Sequence, residues 1–138
     1  MELPVDPSEV VASVLRTALG SAPKVKVGSM PDQPDKLVAV RTTSAVPDGR
    51  YARGGRVYHP GCQVQCRGAD YTEGWNLAAT CTDALVNLTT SGPVNVTVGT
   101  NTVKVTNVSV TGLPLPMAEE ADRPRRSFTF NLTFSFQG

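Results

Sequence analysis

From residue 127 to 136 the chain alternates without a break. Phe128, Phe130, Leu132, Phe134 and Phe136 fall on one side, and Thr129, Asn131, Thr133 and Ser135 on the other. Successive side chains of an extended backbone point to opposite faces, so this is a strand with one apolar and one polar face. Its backbone must find partners on its edges and its apolar face must be covered. The rest of the chain therefore has to supply a sheet and a packing layer.

The upstream sequence supplies both. Asp6-Pro7-Ser8-Glu9 reads as a helix start: Asp6 can cap, Pro7 suits the first helical position and Glu9 sits where a capping-box acid belongs. Val10, Val11, Val14, Leu15 and Ala18 recur at helical spacing until Gly20. A second helix is expected after Asp70, with Glu73 three residues on and a stripe of Leu77, Ala78, Cys81, Ala84, Leu85 and Leu88, ending at Ser91-Gly92-Pro93. Gly74 in its first turn costs roughly 1 kcal/mol relative to alanine.

Between and after the helices the pattern is β. Residues 24–27 alternate, residues 29–36 hold Pro31 and Pro34 and read as a loop, and strand character resumes over 37–42. Residues 44–55, rich in Gly, Pro and Arg, read as a surface excursion without periodicity. Residues 56–67 form the expected central strand, with Cys62, Val64 and Cys66 on one face and Gln63, Gln65 and Arg67 on the other. Residues 94–98 and 103–110 give two more strands around a turn at 99–101. A phase change at Thr106-Asn107 predicts a bulge or bend there. Residues 112–124 read as a second irregular stretch. The whole predicts a single α+β domain over 1–138, with a mostly antiparallel sheet, two helices packed on one face and long loops between strands. The other face is rich in Thr, Ser, Asn and Gln and poor in charge, which suits either solvent or the core of a protein contact.

Composition narrows the function. At 138 residues, 40% of them apolar, the chain can bury a core without metals or disulfides. No stretch is long or uniform enough to span a bilayer, and the N-terminal residues lack a basic flank and an apolar segment, so no secretory signal is expected. A net charge of +1 with interspersed signs argues against nucleic acid as the main partner.

Chemistry finds little purchase. Cys62, Cys66 and Cys81 are an odd number, and His59 is the one histidine. A zinc site from these four would need close ligand pairs, whereas Cys62 and Cys66 on a strand lie about 13 Å apart at ~3.3 Å per residue. A cysteine nucleophile activated by His59 lacks an evident oxyanion loop and a third orienting residue. No metal site, cofactor or enzymatic activity is expected. Two charge clusters are candidates for contacts with other proteins. Arg50, Arg53 and Arg56 stand in and beside the first irregular stretch, and Glu119, Glu120, Asp122, Arg123, Arg125 and Arg126 form an exposed block at the end of the second, before the closing strand.

The order of these pieces resembles the small head–tail joining proteins of long-tailed phages, the tail terminators and related minor capsid proteins. The likeness is carried by the N-terminal helix over 7–19, the strand Leu37-Val38-Ala39-Val40-Arg41 and the segment His59-Pro60-Gly61-Cys62-Gln63-Val64-Gln65-Cys66-Arg67-Gly68 leading into Asp70-Tyr71 and the second helix. The run Leu113-Pro114-Leu115-Pro116, the acidic stretch and the closing strand complete it. Residues 44–56 and the cysteines have no counterpart in that pattern. The resemblance implies a structural virion protein made in the bacterial cytoplasm. It implies a ring, usually of six subunits, on the end of the tail tube, which ends tube polymerisation and offers a surface to the head connector. The partners implied are further copies of the chain, the tail tube protein and a connector or neck protein, with no membrane and no sequence-specific nucleic acid. The alternatives are another neck or head-completion protein of the same fold, a non-viral binding module, or an enzyme using a cysteine or zinc.

Overall fold

The computed structural model describes residues 5–20, 23–52, 55–120 and 123–137, and for 45–52 and 55–56 the backbone alone. In chain order the elements are α1 (Pro7–Leu19), β1 (Lys24–Val27), β2 (Leu37–Ala52), β3 (Gly55–Gly68), α2 (Tyr71–Val86), β4 (Val94–Val98), β5 (Asn101–Val110), β6 (Leu115–Pro116) and β7 (Arg126–Gln137). The strands form one sheet in the order β1-β2-β3-β7-β5-β4, with the short β6 also on β7. All pairs are antiparallel except β1–β2. The α+β class and the mostly antiparallel sheet are those expected from sequence.

The closing strand is paired on both edges, with β3 along most of its length and with β5 over its second half. Phe128, Phe130, Leu132, Phe134 and Phe136 are all buried, each ring contributing about 2–3 kcal/mol of transfer free energy. Facing them are Val10, Val11 and Leu15 of α1 and Leu77, Ala78, Cys81 and Leu85 of α2. Cys62, Val64 and Cys66 lie on the same apolar face. α1 reaches both ends of the sheet, touching β1 and β2 on one side and β4 on the other, so the sheet curls around it. Side chains of α1 fasten both edges: Arg16 donates to the Val25 carbonyl at 3.0 Å, and the Ser13 hydroxyl to the Thr97 carbonyl at 3.3 Å.

Local signals mostly hold. Asp6 caps α1 by accepting from the Ser8 amide at 3.0 Å, and Asp70 caps α2 by accepting from the Glu73 amide at 2.9 Å. Glu73 reaches back to the Ala69 amide, while Glu9 turns instead to Arg16 at 3.6 Å. The register of β5 on β7 shifts between Val105 and Asn107, where the phase of the sequence changes.

The described residues of the 44–55 segment differ from expectation. Residues 44–52 and Gly55 belong to the arms of a long β2–β3 hairpin, paired at Ala45↔Pro60, Val46↔His59, Pro47↔Tyr58 and Tyr51↔Arg56. Each arm supplies the other's backbone partners, and two register shifts, at Thr42/Ser44 and Pro47/Tyr51, absorb residues that break the period. Within residues 112–124, Leu115 and Pro116 pair with Thr129 and Phe128.

Gly74 has a use that its helix propensity hides. A Cβ on Gly74 would stand 2.8 Å from the Arg126 carbonyl, and one on Gly68 would stand 2.2 Å from the Gly74 amide nitrogen. The first turn of α2 thus rests directly on the end of β3 and the start of β7, backbone against backbone. Gly68→Ala and Gly74→Ala are each expected to destabilise the fold by about 1–3 kcal/mol, the range for overpacking, in denaturant unfolding. Wild-type stability in both variants would mean the approach is not needed.

Candidate functional site

The charged residues expected from sequence divide into two groups. Arg53 and Asp122 lie outside the described residues, and the side chains of Arg50 and Arg56 do as well, on the hairpin. The others gather at one end of the sheet around residues 28–36, the loop between β1 and β2. Arg67, on the helix-free face of β3, donates to the carbonyls of Pro34 at 2.7 Å, Asp35 at 2.8 Å and Asp32 at 3.1 Å. Arg125, just before β7, grips Glu120 through two parallel bonds of 2.8 and 2.7 Å. It also reaches the Asp32 carboxylate at 2.8 Å, the Asp32 carbonyl at 2.5 Å and the Asp35 carboxylate at 3.1 Å. Arg123 adds a 2.6 Å bond to Asp32.

This geometry changes the reading of Arg125. The sequence places it in an exposed block, but its side chain is 4% exposed and its donors are used inside the chain. It ties the loop before β2 to the loop before β7. Arg67, which sequence reasoning left out of the charge clusters, is the second half of that clamp. Its position opposite the apolar face of β3 was legible, but its carbonyl partners lie over 30 residues away and carry no side-chain signal. Glu119 and Arg123 are the members left exposed, while Glu120 and Arg126 are half-buried, Arg126 pairing with Glu119 at 3.2 Å.

The electrostatics follow the contacts. Hydrogen bonds from Arg125, then Arg123, hold the Asp32 carboxyl below its ordinary value, and the Arg125 bonds do the same for Glu120. Bonding to Glu120 raises Arg125, while burial lowers Arg67. Both arginines keep their charge at neutral pH.

The sequence candidates for chemistry do not converge. His59 sits on the exposed side of β3 with Nδ1 2.7 Å from the Ser135 hydroxyl, whereas Cys62, Cys66 and Cys81 are in the core. Burial pushes the Cys62 thiol up to about 12, and a hydrogen bond shared with Cys81, together with burial, raises Cys66. Such thiols stay protonated, the opposite of what a nucleophile requires.

What the molecule offers instead is surface. The helix-free face carries Gln63, Gln65, Thr129, Asn131 and Thr133, with Lys26 and Arg41 at one side. Leu113, Leu115 and Met117 stand exposed beside it, and Tyr71 and Trp75 are exposed at the start of α2, packed edge-on against Phe128. Sequence patterning assigned none of these five to a surface, because alternation and helical stripes report only what is buried.

The clamp makes an acid-sensitive prediction. Asp32 and Glu120 have folded-state values below their ordinary 3.8 and 4.5, so their stabilisation is complete above those values and is lost as pH falls below them. Protection of the amides in residues 28–36, taken relative to the intrinsic exchange rate at each pH, is expected to fall below those values in the wild type. In Arg125→Met it should be low already at pH 7. Equal protection in the two proteins at neutral pH would contradict the clamp.

Three comparisons bear on this fold. No curated protein matches the chain in sequence. A chain from the virion of a native gene transfer agent (GTA) particle superposes with a TM-score of 0.57 at 12% identity, covering 96% of each chain, which shows a shared fold. A family described as bacteriophage tail terminator protein matches residues 6–136, from the cap of α1 to the end of β7. With nearly its whole length inside that match, the chain belongs to the bacteriophage tail terminator family and is a structural protein of the virion.

Proposed function

We propose that the protein assembles as a ring of six copies on the end of the tail tube, halts tube polymerisation there and presents a docking surface to the head connector. It works in the tail or neck of the virion and acts by binding alone. The observation that carries this reading is the tail terminator match over residues 6–136, which spans every element of the sheet. The helix-free face supports it: it is broad, polar and poor in carboxylates, the character of a surface that meets other proteins without burying unpaired charge.

The clamp gives that surface a firm border. By fixing residues 28–36 to Glu120 and to residues 123–125 it sets where Glu119, Arg123 and Arg126 stand, and these are candidates for ion pairs with neighbouring subunits or the tube. Arg50, Arg53, Arg56 and Asp122 belong to the same candidate set by sequence. Arg125 contributes indirectly, by positioning the loops.

The direct test is reconstitution. Purified protein, added in small amounts to tail tube protein as it polymerises, is expected to stop elongation and leave short tubes with the added protein at one end. Tubes that reach their usual length distribution with the protein present would contradict capping.

A further inference from the structure

Residues 113–117 form an extended run whose side chains at alternate positions are apolar and exposed: Leu113 at 77%, Leu115 at 66% and Met117 at 42%. The backbone is held in place, Leu115 opposite Thr129 on β7 and the Met117 amide donating to the Ser127 carbonyl at 2.9 Å. Pro114 is buried, and it and Pro116 lack an N–H, so the run offers few donors for another strand. It presents preorganised apolar side chains, which lose little entropy on docking. Three such side chains in succession make a patch that calls for cover.

A groove of matching character lies elsewhere on the same chain. It has a volume of about 390 Å³ and runs between α1 and the edge strand β4, lined by Val14, Leu88, Val94 and Val96 with Ser13 and Thr17. None of its lining residues is charged. The two edges of the sheet are treated differently. β1 exposes Lys24 and Lys26 and has its Val25 carbonyl taken by Arg16, devices that discourage pairing. β4 carries no charge and, among the described residues, pairs with β5 alone. Charge is complementary at the rims. Lys104 stands opposite Asn95 beside the groove, and Glu119 follows the apolar run by two residues with its side chain 76% exposed.

We propose that the two features meet between copies of the chain: residues 113–117 of one copy seat in the α1–β4 groove of the next, with Glu119 reaching Lys104 at the rim. This contact rests on the ring reading above and supplies its subunit interface. Because β6 is fixed on β7 while β4 lies beyond β5, the run and the groove belong to separate parts of one copy. Two different surfaces make the contact head-to-tail, the kind that generates a ring where the rotation between copies closes.

The test uses sedimentation velocity on the purified full chain and two variants at exposed positions, Leu115→Glu on the run and Thr17→Glu in the groove. The wild type is expected to self-associate. Each variant should do so at least about tenfold more weakly, since a charge is forced against apolar side chains. Mixing the variants should yield dimers and nothing larger, because the intact run of the groove variant meets the intact groove of the run variant. A monomeric wild type, variants that associate normally, or a mixture that stays monomeric would each overturn the contact. Tube capping is read separately by tube length, so failure of this interface and failure of the ring reading are distinguishable.

Discussion

The antiparallel pairing of β3 with β7 is the interaction on which the rest of the structure hangs. β2 and β1 are built outward from β3, while β5, β4 and β6 depend on β7. At one end of the pair, Gly68 faces Arg126 and Arg67 faces Ser127. On the apolar side of that end, two glycines let α2 settle onto the backbone. On the polar side, Arg67 and Arg125 bind the loops. One short stretch of paired backbone thus positions both the helix layer and the border of the open face.

That division separates what the chain uses internally from what it leaves at its surface. Its three cysteines are buried as small apolar side chains, and the thiols of Cys62 and Cys66 are held protonated. Two arginines that look available in sequence are consumed inside the chain, where several acceptors satisfy each guanidinium. What is left outside is a sheet face of amides and hydroxyls, an apolar run at one strand edge and an uncharged groove at another. Surfaces of this kind suit assembly with other virion components.

The apolar half of the fold was legible residue by residue. Period two in residues 127–136, the caps at Asp6 and Asp70, and the phase slip at Thr106-Asn107 each report a local physical demand that the structure meets. The strand pairing of residues 44–52 was not legible, because it is held by backbone partners and leaves no periodic side-chain record. The charge clamp was half legible. Arginines and acids in residues 119–126 were visible as a cluster, but their partners Asp32 and Asp35 come from a loop some 90 residues earlier. Gly74 looked like a helix defect until the carbonyl of Arg126 was found 2.8 Å from where a Cβ would sit. Family membership was legible through the order of these segments, and the match over 6–136 shows the same family.

The most direct measurement is electron microscopy of lysates from a phage in which this gene is deleted. The account predicts headless tails that have grown past their normal length, with complementation restoring the normal length. Filled heads beside detached tails of normal length would move the protein to another joint of the neck, and intact virions would contradict its structural role.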